Sequence, residues 1–323
     1  MRKIFVLHEN EEWLAPLRQA FVARDLPFEE WHLAEGGIDL DAPPPDGVFY
    51  NRMSASAHTR GHEHAPALTA AVLAWLEGHG RRVVNRSSAL DLEISKARQY
   101  AALNSFGIRT PATRVAVGKE AVLSAAAEMG APVILKPNQG GKGLGVQLFQ
   151  TLDALEAYVE SELYDDGPDG IVLVQQYIEP ADAAIVRNEF VGGRFLYAVR
   201  VDTSQGFELC PADACQVGDA FCPTGGDTPR PMFEILDGFQ RGDHARYEQF
   251  LAANGIEIAG IEVITDGFGR AWTYDVNTNT NYNPDAEAAA GIAGTDQGGM
   301  GAIARFLGDE LAHLSVPALD AAE

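Results

Sequence analysis

Two short segments combine residue types that could bind and activate a phosphorylated ligand. In the first, residues 133–146, an apolar strand delivers Lys136 to a turn with three glycines, Gly140, Gly141 and Gly143. Because glycine has no side chain, its backbone N–H groups can approach phosphate oxygens, while Lys136 and Lys142 supply positive charge. No helix follows the turn, so the segment is neither a P-loop nor a dinucleotide fingerprint. A mobile hairpin without a ligand is the alternative interpretation.

The second segment carries acidic and amide side chains on two strands, residues 257–265 and 270–276, joined by Asp266-Gly267. If these strands pair, Glu262 and Asp275 face the same side, and Asn277 shares that face through the period of two. Two carboxylates and an amide oxygen suit Mg²⁺, which binds through a few carboxylates plus substrate phosphates. A solvated strand face in an acidic chain is the alternative.

Alternating elements are predicted to position these segments. Short strands and helices up to Arg86 indicate an α/β unit with a largely parallel sheet. A helix capped by Ser87 or Ser88 and running through Leu103 follows, then an α+β region. Gly192-Gly193 predicts a hairpin between two further strands. Residues 203–232 are rich in Gly, Pro, Asp and Cys and predict a long loop or insertion.

Composition limits the class of protein. The chain has 323 residues, 46% of them hydrophobic, and a net charge of -22. This is too apolar for a disordered protein and too acidic for a general binder of nucleic acid or anionic membrane. No run has the length of a membrane helix, and the N-terminus lacks a signal peptide's apolar region, so a cytoplasmic protein is expected.

Zinc is a weaker interpretation of two clusters. The cysteines Cys210, Cys215 and Cys222 lack a fourth ligand and fit no common zinc spacing, so reduced thiols in a loop are favoured. A separate cluster of histidines consists of His58, His62 and His64. A solvated loop, or a loop that touches the substrate, is favoured over zinc there.

Together the two phosphate and metal segments resemble the ATP-grasp superfamily, and within it the RimK-like ligases of the glutamate ligase type. The resemblance spans nearly the whole chain, with the motifs in the family's order. Lys96 looks like the lysine that begins the ATP-grasp domain, Lys136 like the phosphate-binding lysine, and residues 140–145 like the glycine-rich lid. The positions similar to the family's metal ligands are Glu262, Asp275 and Asn277.

Other positions follow from the same resemblance. The hinge whose backbone binds adenine is similar to a segment containing Gln175, Gln176, Tyr177 and Ile178. Arg187 matches the arginine of the family's D-I-R motif, and Arg52 ends a strand beside the substrate site. The aspartate of D-I-R is Ile185 here, so a polar contact to the nucleotide is missing or comes from Glu179 or Asp182.

The resemblance fails where the acceptor substrate would lie. The family's Pro-Gly after its metal-binding asparagine is replaced by residues 278–283, and its R-S-N motif after the Arg200 strand is absent. The substrate therefore cannot be carried over. Alternating asparagines, including Asn279 and Asn281, either present amides to a substrate or to phosphates, or form turns capped by their own side chains.

The resemblance implies a fold that is α/β and α+β. This is an ATP-grasp fold with an N-terminal Rossmann-like pre-ATP-grasp domain at residues 1–86 and an ATP-grasp domain at residues 87–323. Within the latter, a small nucleotide-lid subdomain is expected at residues 87–180, and a metal and substrate subdomain at residues 181–323.

The activity that the resemblance implies is ligation of a carboxylate to an amine through an acyl phosphate, with ATP and Mg²⁺ (or Mn²⁺). Lys96 and Lys136 would hold phosphates, and Arg187 with Arg200 would stabilise the transferring phosphoryl group. A structural ion pair for Arg187 and a surface position for Arg200 are the alternatives. Small-molecule, amino-acid or peptide substrates are expected, with a homodimer or homotetramer. The competing hypotheses are an ATP-binding regulatory protein and an ATP-grasp kinase.

Overall fold

The computed structural model describes residues 1–141, 143–204 and 231–315, and its strands form three sheets. The first sheet is wholly parallel, with the order β2-β1-β3-β4. The elements of this region are β1 (Lys3–His8), α1 (Glu11–Val22), β2 (Phe28–His32), β3 (Gly47–Asn51), α2 (Ala65–Gly78) and β4 (Arg82–Val84). The strand order reverses between β1 and β3, so the crevice beyond their carboxyl ends is the expected place for a ligand.

The second sheet is antiparallel, with the order β5-β8-β6-β7. Its own apolar core includes Val122, Leu135 and Leu155. The elements of this region are α3 (Ser87–Glu93), α4 (Lys96–Ser105), β5 (Thr113–Ala116), α5 (Lys119–Met129), β6 (Val133–Pro137), β7 (Gln147–Phe149), α6 (Leu152–Glu160) and β8 (Val172–Gln176).

The third sheet is also antiparallel, with the order β11-β10-β9-β12-β13. The predicted hairpin at Gly192-Gly193 is confirmed, since Arg194 pairs with Val191. The elements are β9 (Pro180–Val191), β10 (Arg194–Asp202), β11 (Phe233–Leu236), α7 (His244–Ala253), β12 (Ile258–Asp266), β13 (Ala271–Asn277), α8 (Pro284–Ala289) and α9 (Gly299–Ser315).

The last helix joins the first sheet to the third. Leu307 of α9 is fully buried in a core that contains Ile4 and Phe21 from the N-terminal region and Val199 from β10. Arg82 adds polar contacts, because its guanidinium donates to Glu257 at 2.6 Å and lies 2.5 Å from Glu310.

Several sequence predictions need correction. The single helix expected through Leu103 is two helices, α3 and α4, because Ser95 adopts an extended backbone and its side chain caps α4. Neither Ser87 nor Ser88 caps α3, since the preceding residue, Arg86, holds the cap position. Strand β2, β11 and helix α8 were not predicted, since β2 carries two glutamates and the other two are very short.

Two further sequence predictions concern the long loop and membrane-spanning helices. Most of the predicted 203–232 loop, with its three cysteines, lies outside the described residues. Within residues 1–141, 143–204 and 231–315, no helix has both the length and the apolar character needed to cross a membrane.

Candidate functional site

A cavity of about 400 Å³ lies among the three sheets, with walls from all three regions of the chain. The second sheet contributes Lys136 and the glycine turn, and the third contributes Arg187 and the acidic strands. Trp13, Ser54 and Ser56 close it from the N-terminal region. The two segments that the sequence singled out therefore face one another across a single cavity.

The acidic wall is built by the hairpin of β12 and β13. Glu262 pairs directly with Asp275, and a bulge follows, so that Tyr274 and Asp275 both line the cavity. Asn277 donates from Nδ2 to Glu262 Oε1 at 3.2 Å, which turns its Oδ1 away from that carboxylate. Burial raises the pKa of Glu262, and the charge of Asp275 adds to this, whereas Arg187 opposes it.

This donor set fits a hard divalent cation. It consists of two carboxylates and one amide oxygen, the oxygen ligands that Mg²⁺ accepts together with substrate phosphates. The described part of the chain contains no group of three or more His, Cys, Asp or Glu side chains that could hold a metal by itself. A cation here would complete its coordination with ligand oxygens and water.

Two lysines face the acidic wall. Lys96 Nζ lies 2.7 Å from Asp275 Oδ1. Burial alone would lower the pKa of Lys96, but Asp275 raises it above the ordinary value. Lys136 Nζ donates to the Tyr100 hydroxyl, and burial, reinforced by Lys96, lowers its pKa to about 7.

The start of helix α4 places Lys96. Ser95 caps the helix, and the Lys96 backbone N–H donates to the Asn138 carbonyl at 3.1 Å. The Asn138 side chain then accepts from Ser95 Oγ at 3.1 Å and from Ala97 N at 2.9 Å. Asn138 lies between Lys136 and the glycine turn, so these bonds connect both lysines with the turn.

The glycine turn forms one edge of the cavity. Gly140, Gly141 and Gly143 line it, and Gly143 has a positive φ of 75° that suits glycine. Lys142 lies outside the described residues. The segment predicted as the adenine hinge also lines the cavity, through Gln175, Gln176, Tyr177 and Ile178. Glu179 is not among the described residues that line the cavity.

The two predicted arginines lie in different surroundings. Arg187 lines the cavity, with Nε 2.6 Å from Glu189 Oε1 and Nη1 3.5 Å from Glu262 Oε1. Burial opposes its charge, yet Glu189 and Glu262 raise the pKa of Arg187. Gly260 makes room for this side chain, because a Cβ at that position would lie 2.6 Å from Arg187 Nε.

Arg200 is placed away from this cluster. Arg200 pairs with Val186 of β9, whereas the residues of β9 that line the cavity on either side of Val186 are Ile185 and Arg187. Since paired residues share a sheet face, Arg200 lies on the face opposite Arg187. Its guanidinium lies 3.5 Å from Asp182 and 4.0 Å from Asp202. The structure therefore does not bring Arg200 to the other predicted residues.

The predicted substrate residues meet beside the acidic wall. Asn279 and Asn281 line the cavity, whereas Arg52 lies behind them. Arg52 donates to Asn279 Oδ1 at 3.1 Å and to Asn281 Oδ1 at 2.8 Å. Arg52 directly follows β3 and thereby connects the N-terminal sheet with the segment after Asn277.

Sequence reasoning missed Glu93 and Tyr274, which both line the cavity. Glu93 accepts from the Thr278 backbone N–H at 2.7 Å and from the Ala55 N–H at 3.3 Å. Burial raises the pKa of Glu93, although these bonds oppose the rise. A glutamate on the apolar face of α3, beside Ala89 and Leu92, was the available signal.

The histidines make separate contacts in the N-terminal region. His62 Nδ1 lies 2.8 Å from Glu9 Oε2, and His58 Nδ1 lies 3.2 Å from the Ala55 carbonyl. His64 precedes helix α2. Glu9 Oε1 also accepts a hydrogen bond from Arg60 Nη2 at 2.6 Å. The Glu9 carboxylate is therefore neutralised by an ion pair and needs no metal for this.

The chain is similar in sequence to a known protein family and to several ligases. The RimK-like ATP-grasp domain family matches residues 94–207. A probable alpha-L-glutamate ligase of Teredinibacter turnerae is 27% identical over 236 residues, which cover 71% of this chain and 68% of that relative. A D-alanine--D-alanine ligase of Halorhodospira halophila is 29% identical over 289 residues, covering 85% of this chain and 86% of the relative.

Solved structures show the same fold. A RimK domain ATP-grasp protein from Sphaerobacter thermophilus has a TM-score of 0.64 and 24% identity, covering 94% of this chain and 98% of its own. The D-cycloserine synthetase DcsG has a TM-score of 0.63 and 17% identity, covering 95% and 99% respectively. The fold is therefore the ATP-grasp fold. Within a chain of this fold, residues 94–207 match the RimK-like ATP-grasp domain family.

Proposed function

We propose that this protein is an ATP-dependent ligase that joins a carboxylate to an amine, forming an amide or peptide bond and ADP. The observation that carries the proposal is the convergence of Lys96, Lys136, Glu262 and Asp275 in one cavity, beside a glycine turn. The relatives named as glutamate and D-alanine ligases support the same class of reaction.

The reaction has two steps. An oxygen of the substrate carboxylate attacks the γ-phosphorus of ATP, the bond from that phosphorus to the bridging oxygen breaks, and ADP leaves. The amine nitrogen of the second substrate then attacks the carbonyl carbon of the acyl phosphate. Phosphate leaves with the bonding electrons, and the amine proton passes to solvent. Catalysis of this kind is mainly positioning and charge stabilisation.

Each step is assigned to particular residues of the cavity. Lys96 and Lys136 hold the phosphates, and the glycine turn covers the acyl phosphate and excludes water. Mg²⁺ or Mn²⁺ would bind at Glu262, Asp275 and Asn277 and offset the charge of the phosphates. We assign stabilisation of the transferring phosphoryl group to Arg187 alone, because Arg200 lies on the other sheet face.

The proposal extends to the substrates, the location, the oligomeric state, the domain division and the adenine site. The substrates are small molecules, amino acids or peptides, and the protein acts in the cytoplasm as a homodimer or homotetramer. The domain division is residues 1–86 for the N-terminal unit and 87–323 for the ATP-grasp unit. Backbone groups at residues 175–178 bind the adenine.

A first test replaces the acidic wall. Glu262→Gln and Asp275→Asn keep the side-chain shape while they remove the charge, so we expect ADP release with ATP, Mg²⁺ and an amino-acid library to fall at least about a hundredfold. Glu156→Gln is the matched control, because Glu156 is exposed on α6. Wild-type turnover in either wall variant would refute the metal assignment.

A further inference from the structure

We propose that Asn279 and Asn281 form a subsite for a substrate carboxylate, and that Arg52 is the positioning residue behind them. Both asparagines line the cavity, two and four residues after Asn277. The inference deepens the proposed ligase function and rests on it, because it concerns the substrate end of the same cavity.

The chemistry of Arg52 fixes the orientation of both amides. A guanidinium group only donates hydrogen bonds, so the atoms that it contacts must be the amide oxygens. Its Nε donates to Asn279 Oδ1 at 3.1 Å, and its Nη2 donates to Asn281 Oδ1 at 2.8 Å. Within the described residues, neither Nδ2 group makes a hydrogen bond to the protein. Two amide donors are therefore left for a ligand in the cavity.

Arg52 is also a buried cation without a counter-ion. Arg52 is buried, with an exposed fraction of 3%. Its remaining bonds end on the backbone carbonyls of Trp13 and Thr280, both at 3.2 Å. No carboxylate of residues 1–141, 143–204 or 231–315 lies within 4.0 Å of it, and nearby Glu189 is paired with Arg187 at 2.6 Å. A buried charge of this kind is costly until an anion offsets it.

A bound anion at the two Nδ2 groups would be that counter-ion. Donation from Arg52 to each Oδ1 polarises the amide and strengthens its N–H groups as donors. Two planar amides that each offer N–H suit the two oxygens of a carboxylate. The phosphates have their own cations, Lys96 and Lys136, beside the glycine turn. The anion at the asparagines is therefore a carboxylate of a substrate.

The test is an exchange of one amide for a carboxylate. Asn281→Asp provides Arg52 with an internal counter-ion and removes the Nδ2 donors. We expect a melting temperature no lower than that of the wild type and unchanged ADP affinity. Binding of amino acids to the ADP-loaded protein should weaken about tenfold or more, as for a lost hydrogen bond to a charged group. Asn279→Asp should behave alike, and Gln19→Glu, exposed on α1, controls for the added charge.

The binding assay uses calorimetry and thermal shift with the twenty amino acids, their carboxamides and their N-acetyl derivatives, so it does not depend on turnover. We expect the wild type to bind carboxylates and to reject the matching carboxamides. Binding of an N-acetyl derivative assigns the carboxylate to the acyl substrate, whereas a need for the amino group assigns it to the amine substrate.

Three results would overturn the subsite. They are equal binding of carboxamides, full binding by both aspartate variants, and no binding by any carboxylate. Selective carboxylate binding without ADP formation would instead retain the subsite and refute the ligase function.

Discussion

At the scale of single residues, the site balances scarce positive charge against several buried carboxylates. Lys96 is held by Asp275 at 2.7 Å, whereas among the described residues Lys136 donates a hydrogen bond only to the neutral Tyr100 hydroxyl. The two lysines therefore differ in their protonation before a nucleotide binds. Lys136, with a pKa lowered to about 7, is the one that phosphate charge can change.

A protonation prediction follows for Lys136. Because negative phosphate raises the pKa of a nearby lysine, ADP binding should be accompanied by proton uptake above pH 7, where free Lys136 is mostly neutral. Well below pH 7 the uptake by this residue should vanish, since Lys136 is already charged. Calorimetry in buffers of different ionisation enthalpy measures it.

Lys136→Gln should remove this uptake, and Lys119→Gln, which lies outside the cavity, should retain it. Equal uptake in the wild type and in Lys136→Gln would contradict the role of Lys136.

At the scale of elements, the break between α3 and α4 positions Lys96. Ser95 caps α4 and contacts Asn138, so hydrogen bonds link the helix start to the segment that leads into the glycine turn. The sequence analysis predicted one uninterrupted helix from Ser87 or Ser88 through Leu103. Only the tertiary contact with Asn138 shows that the helix must restart at Lys96.

A pair of cap variants tests this coupling. Ser95→Ala should lower the free energy of unfolding by about 1 kcal/mol and also raise the KM for ATP, because the Lys96 side chain loses its placement. Thr151→Ala removes the cap of α6, away from the cavity, and should cost similar stability with an unchanged KM. Urea unfolding and steady-state kinetics measure both quantities. Equal KM values in the two variants would show that the Ser95 cap does not place Lys96.

Much of the site could be predicted from the sequence, and the failures have physical causes. Lys136, the glycine turn and Glu262 with Asp275 are local patterns on strands, and the structure brings them together. The position of Arg200 could not be predicted, because residues along β10 alternate between the two faces of the sheet. Only the register with β9 determines which face Arg200 occupies. The resemblance placed Arg52 beside the substrate site, whereas its bonds to Asn279 and Asn281 could not be predicted, because these partners lie more than two hundred residues away in the chain.

At the scale of the whole molecule, α9 connects the N-terminal sheet with the third sheet. The core around Leu307 combines both regions, and the Arg82 ion pairs with Glu257 and Glu310 extend the contact. The part of the cavity wall formed by Ser54 and Ser56 depends on this docking, because both residues belong to the N-terminal region.

A core variant tests the docking. Leu307→Ala should lower the free energy of unfolding by about 2–5 kcal/mol, since Leu307 is fully buried. Leu163→Ala, at a residue that is 80% exposed, should change it by less than about 0.5 kcal/mol. Denaturant unfolding followed by circular dichroism compares the two. A negligible loss in Leu307→Ala would contradict a shared core.

In the proposed reaction, ATP activates a carboxylate as an acyl phosphate. The most direct test supplies ATP, Mg²⁺ and amino acids whose carboxylates carry ¹⁸O, and then analyses the released phosphate and the products by mass. We expect ADP, an amide product and one labelled oxygen in the phosphate, all lost in Asp275→Asn. Unlabelled phosphate, or a phosphorylated product without an amide, would contradict it.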